Sequence, residues 1–196
     1  MTLTLRVRWV LASSVGEALA LALSTLLGAL VARTIEGDAP WALAILMPLV
    51  GTIEGFVLGA VQSRALPEPL RIRWILATGA GMGVAWLLSS AMAFVEPSVS
   101  SPFQMIAAAG LFGIVVGVAV GASQSVAASN VEWCQSPAWV LHSMAAWVSA
   151  MVVSAVLSEL VPWGPFTPYV LLIETLKGLA AGLLVGVVTL PALLPR

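Results

Sequence analysis

Residues 51–62 read GTIEGFVLGAVQ, with a glycine at every fourth position inside a long apolar segment. The same spacing returns at residues 113–124, GIVVGVAVGASQ, and at residues 178–189, GLAAGLLVGVVT. Residues four apart lie on one face of an α-helix, so each segment presents a narrow stripe of glycines to a neighbouring helix. Three copies in register predict a repeated helical unit in which these glycines serve helix packing. The glycines are Gly51, Gly55, Gly59, Gly113, Gly117, Gly121, Gly178, Gly182 and Gly186.

A tryptophan motif precedes each glycine stripe. It reads WVLAS at residues 9–13, WILAT at residues 74–78 and WVLHS at residues 139–143, so each tryptophan follows the previous one by 65 residues. The repeating unit is therefore a pair of helices. Because a pair crosses the membrane twice, all copies enter from the same side, and we predict parallel hairpins around a pseudo-threefold axis. The predicted hairpins cover residues 6–66, 71–128 and 138–192.

The composition requires that these helices lie in a membrane. Only 9% of the 196 residues are charged and 60% are apolar, whereas a soluble domain devotes about a quarter of its residues to charged types. The mean hydropathy is +1.05. We predict an all-α integral membrane protein with a single membrane domain over residues 1–196 and six transmembrane helices. The predicted spans are Trp9–Val31, Trp41–Gln62, Trp74–Val95, Phe103–Ala128, Ala138–Leu157 and Tyr169–Leu190.

Charge and cysteine content exclude several classes of protein. The net charge of −1 lacks the basic footprint of a nucleic-acid-binding protein. The single cysteine, Cys134, excludes a disulfide scaffold. No cluster of histidine and cysteine has the spacing of a metal site, and no serine, histidine and acid lie at comparable depth. We therefore predict no metal and no enzymatic activity, with an enzyme acting on lipid as the one catalytic alternative.

The arginines indicate how the chain is oriented. Most of the basic residues lie before the first span, between the second and third spans, or at the C-terminus, whereas Arg33 alone lies in a connection on the opposite side. By the positive-inside rule, both termini are cytoplasmic, and we expect the plasma (inner) membrane of a prokaryote. We also expect Trp9, Trp74 and Trp139 to form an aromatic belt at the cytoplasmic interface. The arginines on the predicted cytoplasmic side are Arg6, Arg8, Arg64, Arg71, Arg73 and Arg196.

The junction between the first two repeats has a recognisable pattern. Residues 59–66, GAVQSRAL, are followed by RWILA at residues 73–77. This resembles a motif of uncharacterised bacterial multi-span membrane proteins, in which G-x-x-x-G-x-x-Q-x-x-x-L ends one helix and a tryptophan begins the next. The second copy retains Gln124, but the third carries Thr189 instead. The resemblance implies an architecture of repeated helical hairpins and brings no assigned activity.

Ionisable residues that occur in only one repeat are the candidate site, because a charge inside a membrane is costly. Glu17 lies eight residues beyond Trp9, and Glu54 lies eight residues before Gln62. At a rise of 1.5 Å per residue, both are about 12 Å deep, so the two carboxyls share one layer. Either they bind a cation or carry a proton, or they are protonated and fix the helix register through hydrogen bonds.

Other polar residues within the spans extend this candidate site. Lys177 lies about 20 Å deep and has a stem that can reach towards the carboxyl layer, while Glu174 is placed to form an ion pair with it. His142 stands where the other repeats carry alanine. It could ligate a tetrapyrrole, although bonding to a carbonyl or a lipid head group is more common, and we predict no cofactor. Gln62 and Gln124 are either polar anchors at helix ends or the lining of a shared vestibule.

Two functions from different classes account for these features. The first is a small membrane protein that binds or transports an ion or small molecule at a site between the hairpins. The second is a non-catalytic accessory subunit of a larger membrane complex, favoured by the glycine-rich helices and the short connections. The expected partners are the lipid bilayer, and other membrane subunits or further copies of the chain, with no nucleic acid.

Overall fold

A computed structural model describes residues 3–34, 40–93, 101–129, 137–159 and 167–193. Within these ranges the chain is helical and contains no β-strand. Six of the described helices are long and apolar enough to span a membrane, which confirms the prediction of an all-α fold with six helices of this kind. They are α1 (Leu3–Thr34), α2 (Pro40–Ser63), α3 (Glu68–Ala93), α4 (Pro102–Ala127), α5 (Pro137–Ser158) and α6 (Pro168–Thr189), with a 3₁₀ turn at Leu190–Leu193.

Prolines and hydroxyl side chains set where several helices begin. α2, α4, α5 and α6 each start at a proline, whose missing N–H has no helical partner in the first turn anyway. Before α4, the Ser101 hydroxyl accepts a hydrogen bond from the Gln104 backbone N–H at 3.2 Å, and Gln104 Oε1 accepts from the Ser101 N–H at 3.1 Å. Thr167 caps α6 through its hydroxyl. These local signals fix where the chain re-enters each helix after a connection.

The helices form a closed ring. Each helix contacts the helices that precede and follow it along the chain, and α6 also contacts α1. The glycine stripes lie where α2 meets α3, where α4 meets α5 and where α6 meets α1. The glycines therefore pack between successive hairpins rather than within a hairpin.

Every glycine of the stripes is buried, and the backbones meet closely there. A Cβ on Gly55 would lie 2.6 Å from the carbonyl oxygen of Thr78, and a Cβ on Gly113 would lie 2.6 Å from the Cα of Val148. Gly178 packs on α1 in the same way. No other residue type allows this approach, which supplies the van der Waals contact that holds helices together in lipid.

The exposed and buried residues suit a lipid environment. Large apolar side chains point outward, such as Leu11, Leu19 and Leu30 on α1, which are 57%, 52% and 57% exposed. The interior combines an apolar core with polar and charged side chains, whose hydrogen bonds must be made inside the protein because lipid offers none. The buried polar residues are Ser13, Glu17, Ser24, Glu54, Gln62, Ser63, Thr78, Gln124, Ser143, Lys177 and Thr189.

Replacing Gly117 with alanine tests the packing of α4 on α5. A Cβ at this position would collide with the Cα of Met144 and lie 2.9 Å from the carbonyl oxygen of Ser143. The helices must then separate, at a cost of about 1–3 kcal/mol. We expect the midpoint of thermal unfolding in detergent to fall by about 2–10 °C.

Gly28→Ala is the matched control, because nothing lies within 4 Å of a Cβ at Gly28 on α1. Its unfolding midpoint should be unchanged or slightly raised, since alanine favours the helix more than glycine does. Equal midpoints for the two alanine variants would show that the α4–α5 contact tolerates a side chain.

Candidate functional site

Three tryptophans meet at one end of the ring, near the starts of α1, α3 and α5. The ring centroids of Trp9 and Trp74 are 5.8 Å apart, those of Trp9 and Trp139 6.2 Å, and those of Trp74 and Trp139 5.6 Å, all in edge-to-face geometry. Each tryptophan is only 1% exposed. The prediction of an aromatic belt facing the membrane interface is therefore wrong for these residues. Because they share one register on the inward faces of three helices, closing the ring brings them together. We call this end of the ring the tryptophan end.

A layer of buried polar side chains lies beside the tryptophans and joins separate helices. The indole N–H of Trp9 donates to Thr189 Oγ1 at 2.9 Å, and that of Trp74 donates to Gln62 Oε1 at 3.1 Å. Gln62 Nε2 in turn donates to Ser13 Oγ at 3.2 Å. α6 is thereby tied to α1, and α2 is tied to both α3 and α1.

Gln124 makes a corresponding link, since its Nε2 donates to Thr78 Oγ1 at 2.9 Å. Gln62 and Gln124 are 2% and 3% exposed, so both line the interior rather than anchoring helix ends in the interface. They also line a cavity of about 10 Å³ together with Ser143 and Thr189. A cavity of that size accommodates one water molecule.

Glu17 and Glu54 lie in the interior of the ring. They are 2% and 4% exposed, and the two carboxyls are close enough to interact electrostatically. The Ser24 hydroxyl and the Trp86 indole lie beside the Glu54 carboxyl. Within the described residues, Oε2 of each carboxyl makes no hydrogen bond. Two neighbouring buried carboxyls, each with an unsatisfied oxygen, form a site that favours a proton or another cation.

Lys177 has other partners. Its Nζ donates to Glu174 Oε1 at 2.8 Å and to Ser158 Oγ at 2.7 Å. In the part of the chain that the structure describes, no ion pair joins Lys177 to Glu17 or Glu54. The predicted pair with Glu174 is present, whereas the predicted reach of Lys177 towards the carboxyl layer is not seen. Glu174 is one turn away on the same helix and satisfies the ammonium there.

His142 bonds to its own helix. It is half-buried, and its Nδ1 lies 2.7 Å from the carbonyl oxygen of Ala138. This contact is the bond to a carbonyl that was expected to be the more common arrangement for such a histidine. Across the described ranges, no group of three or more histidine, cysteine or acidic residues is arranged to hold a metal ion.

The polar layer was not predicted from the sequence, although a signal for it was present. A hydroxyl residue follows each motif tryptophan by four positions, and a polar residue follows each third stripe glycine by three. A polar side chain repeated at one register of an apolar helix indicates an interhelical hydrogen bond. These residues are Ser13, Thr78 and Ser143 on the odd-numbered helices, and Gln62, Gln124 and Thr189 on the even-numbered ones.

Comparison with known proteins adds no functional assignment. No protein-family model, curated protein or solved structure matches the chain. The inference of function therefore depends on the geometry of the buried polar groups.

A double-mutant cycle measures what the polar layer contributes to stability. We expect Gln62→Leu to lower the free energy of unfolding, since the Trp74 N–H loses the acceptor at Gln62. The coupling between Gln62→Leu and Ser13→Ala should be about 0.5–1.5 kcal/mol, the range of interhelical hydrogen bonds in membranes. Unfolding in mixed detergent micelles would give these free energies.

Ser149→Ala is the control for that cycle. The Ser149 hydroxyl bonds to the carbonyl oxygen of Ala145 on its own helix at 2.8 Å, away from the glutamine. Its coupling to Gln62→Leu should be near zero. A coupling with Ser13→Ala no larger than this control would contradict a stabilising role for the α1–α2 hydrogen bond.

Proposed function

We propose that this protein binds and carries a small cation, either a proton or an alkali-metal ion, at Glu17 and Glu54. The observation that carries the proposal is the pair of buried carboxyls, each with one oxygen that makes no hydrogen bond in the described structure. One cation between them would reduce their repulsion and satisfy both oxygens. The proposal places the protein in the plasma membrane of a prokaryote, with both termini and the tryptophan end on the cytoplasmic side.

The framework of the proposal is three equivalent hairpins around a pseudo-threefold axis. It is supported by the glycine stripes, which pack each hairpin on the next one around the ring. The meeting of Trp9, Trp74 and Trp139 supports it as well, because residues 65 positions apart converge on one point. In such a framework, equivalent positions lie at equal depth.

Glu17 is a departure from this repeat. The equivalent positions carry Met82 and Trp147, and both are 1% exposed. Two repeats therefore fill this layer with apolar side chains, while the first repeat introduces a carboxyl. A residue needed only for packing would not have to be ionisable, which favours a functional role for Glu17 and its neighbour Glu54.

The cavity lies on the tryptophan-end side of a route that we propose towards the carboxyls, and neither Glu17 nor Glu54 lines it. Its lining extends from Trp9 and Trp139 at the tryptophan end to Trp147, which shares the register of Glu17. We propose that the ion passes through the polar layer along this line and that the tryptophans must separate to admit it. The described arrangement then corresponds to a closed state of the carrier.

The accessory-subunit alternative has less support. It was favoured by glycine-rich helix surfaces that could dock onto another protein. The glycines of all the stripes are instead buried in contacts within the chain. What remains exposed is largely leucine, isoleucine and valine, which suits lipid.

Labelling with dicyclohexylcarbodiimide tests the proposed site, because this reagent modifies protonated carboxyls in apolar surroundings. We expect Glu17 or Glu54 to be labelled in the purified protein, and Na⁺, K⁺ or deprotonation of the carboxyl at higher pH to protect it. Peptide mass spectrometry would identify the modified residue. Glu68 is the matched control carboxyl, because it is exposed at the start of α3 and should react little.

Reconstituted vesicles provide the functional measurement. Glu17→Gln and Glu54→Gln should each reduce proton or alkali-cation flux at least about tenfold, whereas Glu68→Gln should leave it unchanged. Flux can be followed with pH- and cation-sensitive dyes enclosed in the vesicles. The contrary outcome is that each glutamine variant keeps its flux, that cations still protect its remaining carboxyl from labelling, and that only its unfolding temperature changes. The carboxyls would then be structural, and the accessory-subunit alternative would be favoured.

A further inference from the structure

The basic residues at the tryptophan end are gathered on one side of the ring. Arg6 and Arg8 belong to the start of α1, Arg64 follows α2, and Arg71 and Arg73 belong to the start of α3. All of them are exposed. Within the described residues, Glu68 is the only acidic residue on this part of the surface. The result is a strongly positive patch around the turn between α2 and α3.

This patch goes beyond the general preference for basic residues on the cytoplasmic side. The third repeat carries Ala138 where the first two carry Arg8 and Arg73. If the arginines served only to orient the chain in the membrane, they would not need to be concentrated at one junction between hairpins. The concentration of arginine between the first and second hairpins therefore points to a ligand at that place.

Two of the guanidinium groups are held in position by the turn itself. Arg8 Nη2 donates to the carbonyl oxygen of Arg64 at 2.6 Å, and Arg71 Nε donates to the carbonyl oxygen of Leu66 at 3.3 Å. The two carbonyls are two residues apart, a chain length of about 7 Å at most. A guanidinium carries five N–H donors, so each arginine keeps donors on its other nitrogens for a ligand. Arg64 projects from the same turn.

The surroundings of the patch favour a ligand with hydrocarbon chains. Arginine binds phosphate oxygens with two parallel hydrogen bonds, which makes a phosphate the natural partner of this cluster. The neighbouring apolar side chains are strongly exposed, with Val7 at 49%, Leu11 at 57%, Ile72 at 61% and Leu76 at 54%. They continue from the arginines along the outer surfaces of α1 and α3. In a membrane these side chains are covered by acyl chains, so the arginines lie next to lipid headgroups, and a lipid phosphate is favoured over a free phosphate.

We infer that Arg8, Arg64 and Arg71 bind the phosphate of an anionic phospholipid at the turn between α2 and α3. The acyl chains lie against the exposed apolar side chains beside the turn. The site is separate from Glu17 and Glu54, so it stands independently of the proposed cation transport.

Native mass spectrometry of the full chain with added phosphatidylglycerol or phosphatidylcholine tests this site. We expect phosphatidylglycerol to bind with at least about tenfold preference. The Arg64→Gln variant should weaken its binding about fivefold, and Arg8→Gln combined with Arg71→Gln should weaken it about 25-fold. Arg33→Gln is the matched control, because Arg33 is also exposed but lies at the opposite end of α1. Arg64 contributes its backbone carbonyl, not its side chain, to the described hydrogen bond with Arg8. Arg64→Gln should therefore fold, and it still tests the site if the double variant unfolds.

The competing outcomes are distinct. Equal binding of the two lipids, or an equal loss of binding in Arg33→Gln, would overturn the site. Displacement of phosphatidylglycerol by millimolar inorganic phosphate would overturn the assignment to a lipid and indicate a small-anion site instead. Cation flux in vesicles of phosphatidylcholine alone would report on Glu17 and Glu54 separately.

Discussion

Close approach of helix backbones is the constraint on which the rest of this structure depends. Lipid is as apolar as leucine, so no hydrophobic effect drives one helix onto another inside a membrane. The contact of α6 with α1 shows what replaces it. A Cβ on Gly178 would lie 2.7 Å from both the Ala18 Cα and the Glu17 carbonyl oxygen. At that separation the α6 backbone lies directly against the stretch of α1 that carries Glu17, and Glu17 is buried there.

The interior created in this way holds polar side chains among its apolar ones, and the polar groups are unevenly satisfied. At the tryptophan end, Gln62 both accepts from Trp74 and donates to Ser13, so that one amide serves two neighbouring helices. Glu17 and Glu54 lack such complete partnering within the described residues. Inside a membrane, leaving a polar group without a hydrogen bond costs more free energy than forming that hydrogen bond gains. The hydrogen bonds of the polar layer therefore account for its burial, while the unsatisfied carboxyl oxygens are the basis of the proposed cation site.

The sequence predicted the helices and their register better than it predicted the directions of their side chains. Composition and length were sufficient for six helices long and apolar enough to span a membrane, whereas the common depth of Glu17 and Glu54 stays a prediction from the rise of 1.5 Å per residue. The belt predicted for Trp9 and its equivalents was wrong, because the interfacial preference of tryptophan is a rule for a single residue facing lipid. Whether a residue faces lipid depends on how all the helices close around it. The partners of Lys177 were ambiguous for a similar reason, since two acidic sites lay within the reach of one flexible stem.

The contact between α1 and α6 also constrains the order in which the molecule is assembled. Ser14 Oγ donates to the carbonyl oxygen of Leu179 at 2.8 Å across a separation of 165 residues. During synthesis, the face of α1 that carries Ser13 and Glu17 has no α6 to cover it until the five preceding helices and α6 have been made. Glu17 therefore lacks its α6 neighbours while the intervening helices are made. Packing of α6 on α1 closes the ring and covers this face of α1, so closure of the ring and full burial of Glu17 are one step in assembly.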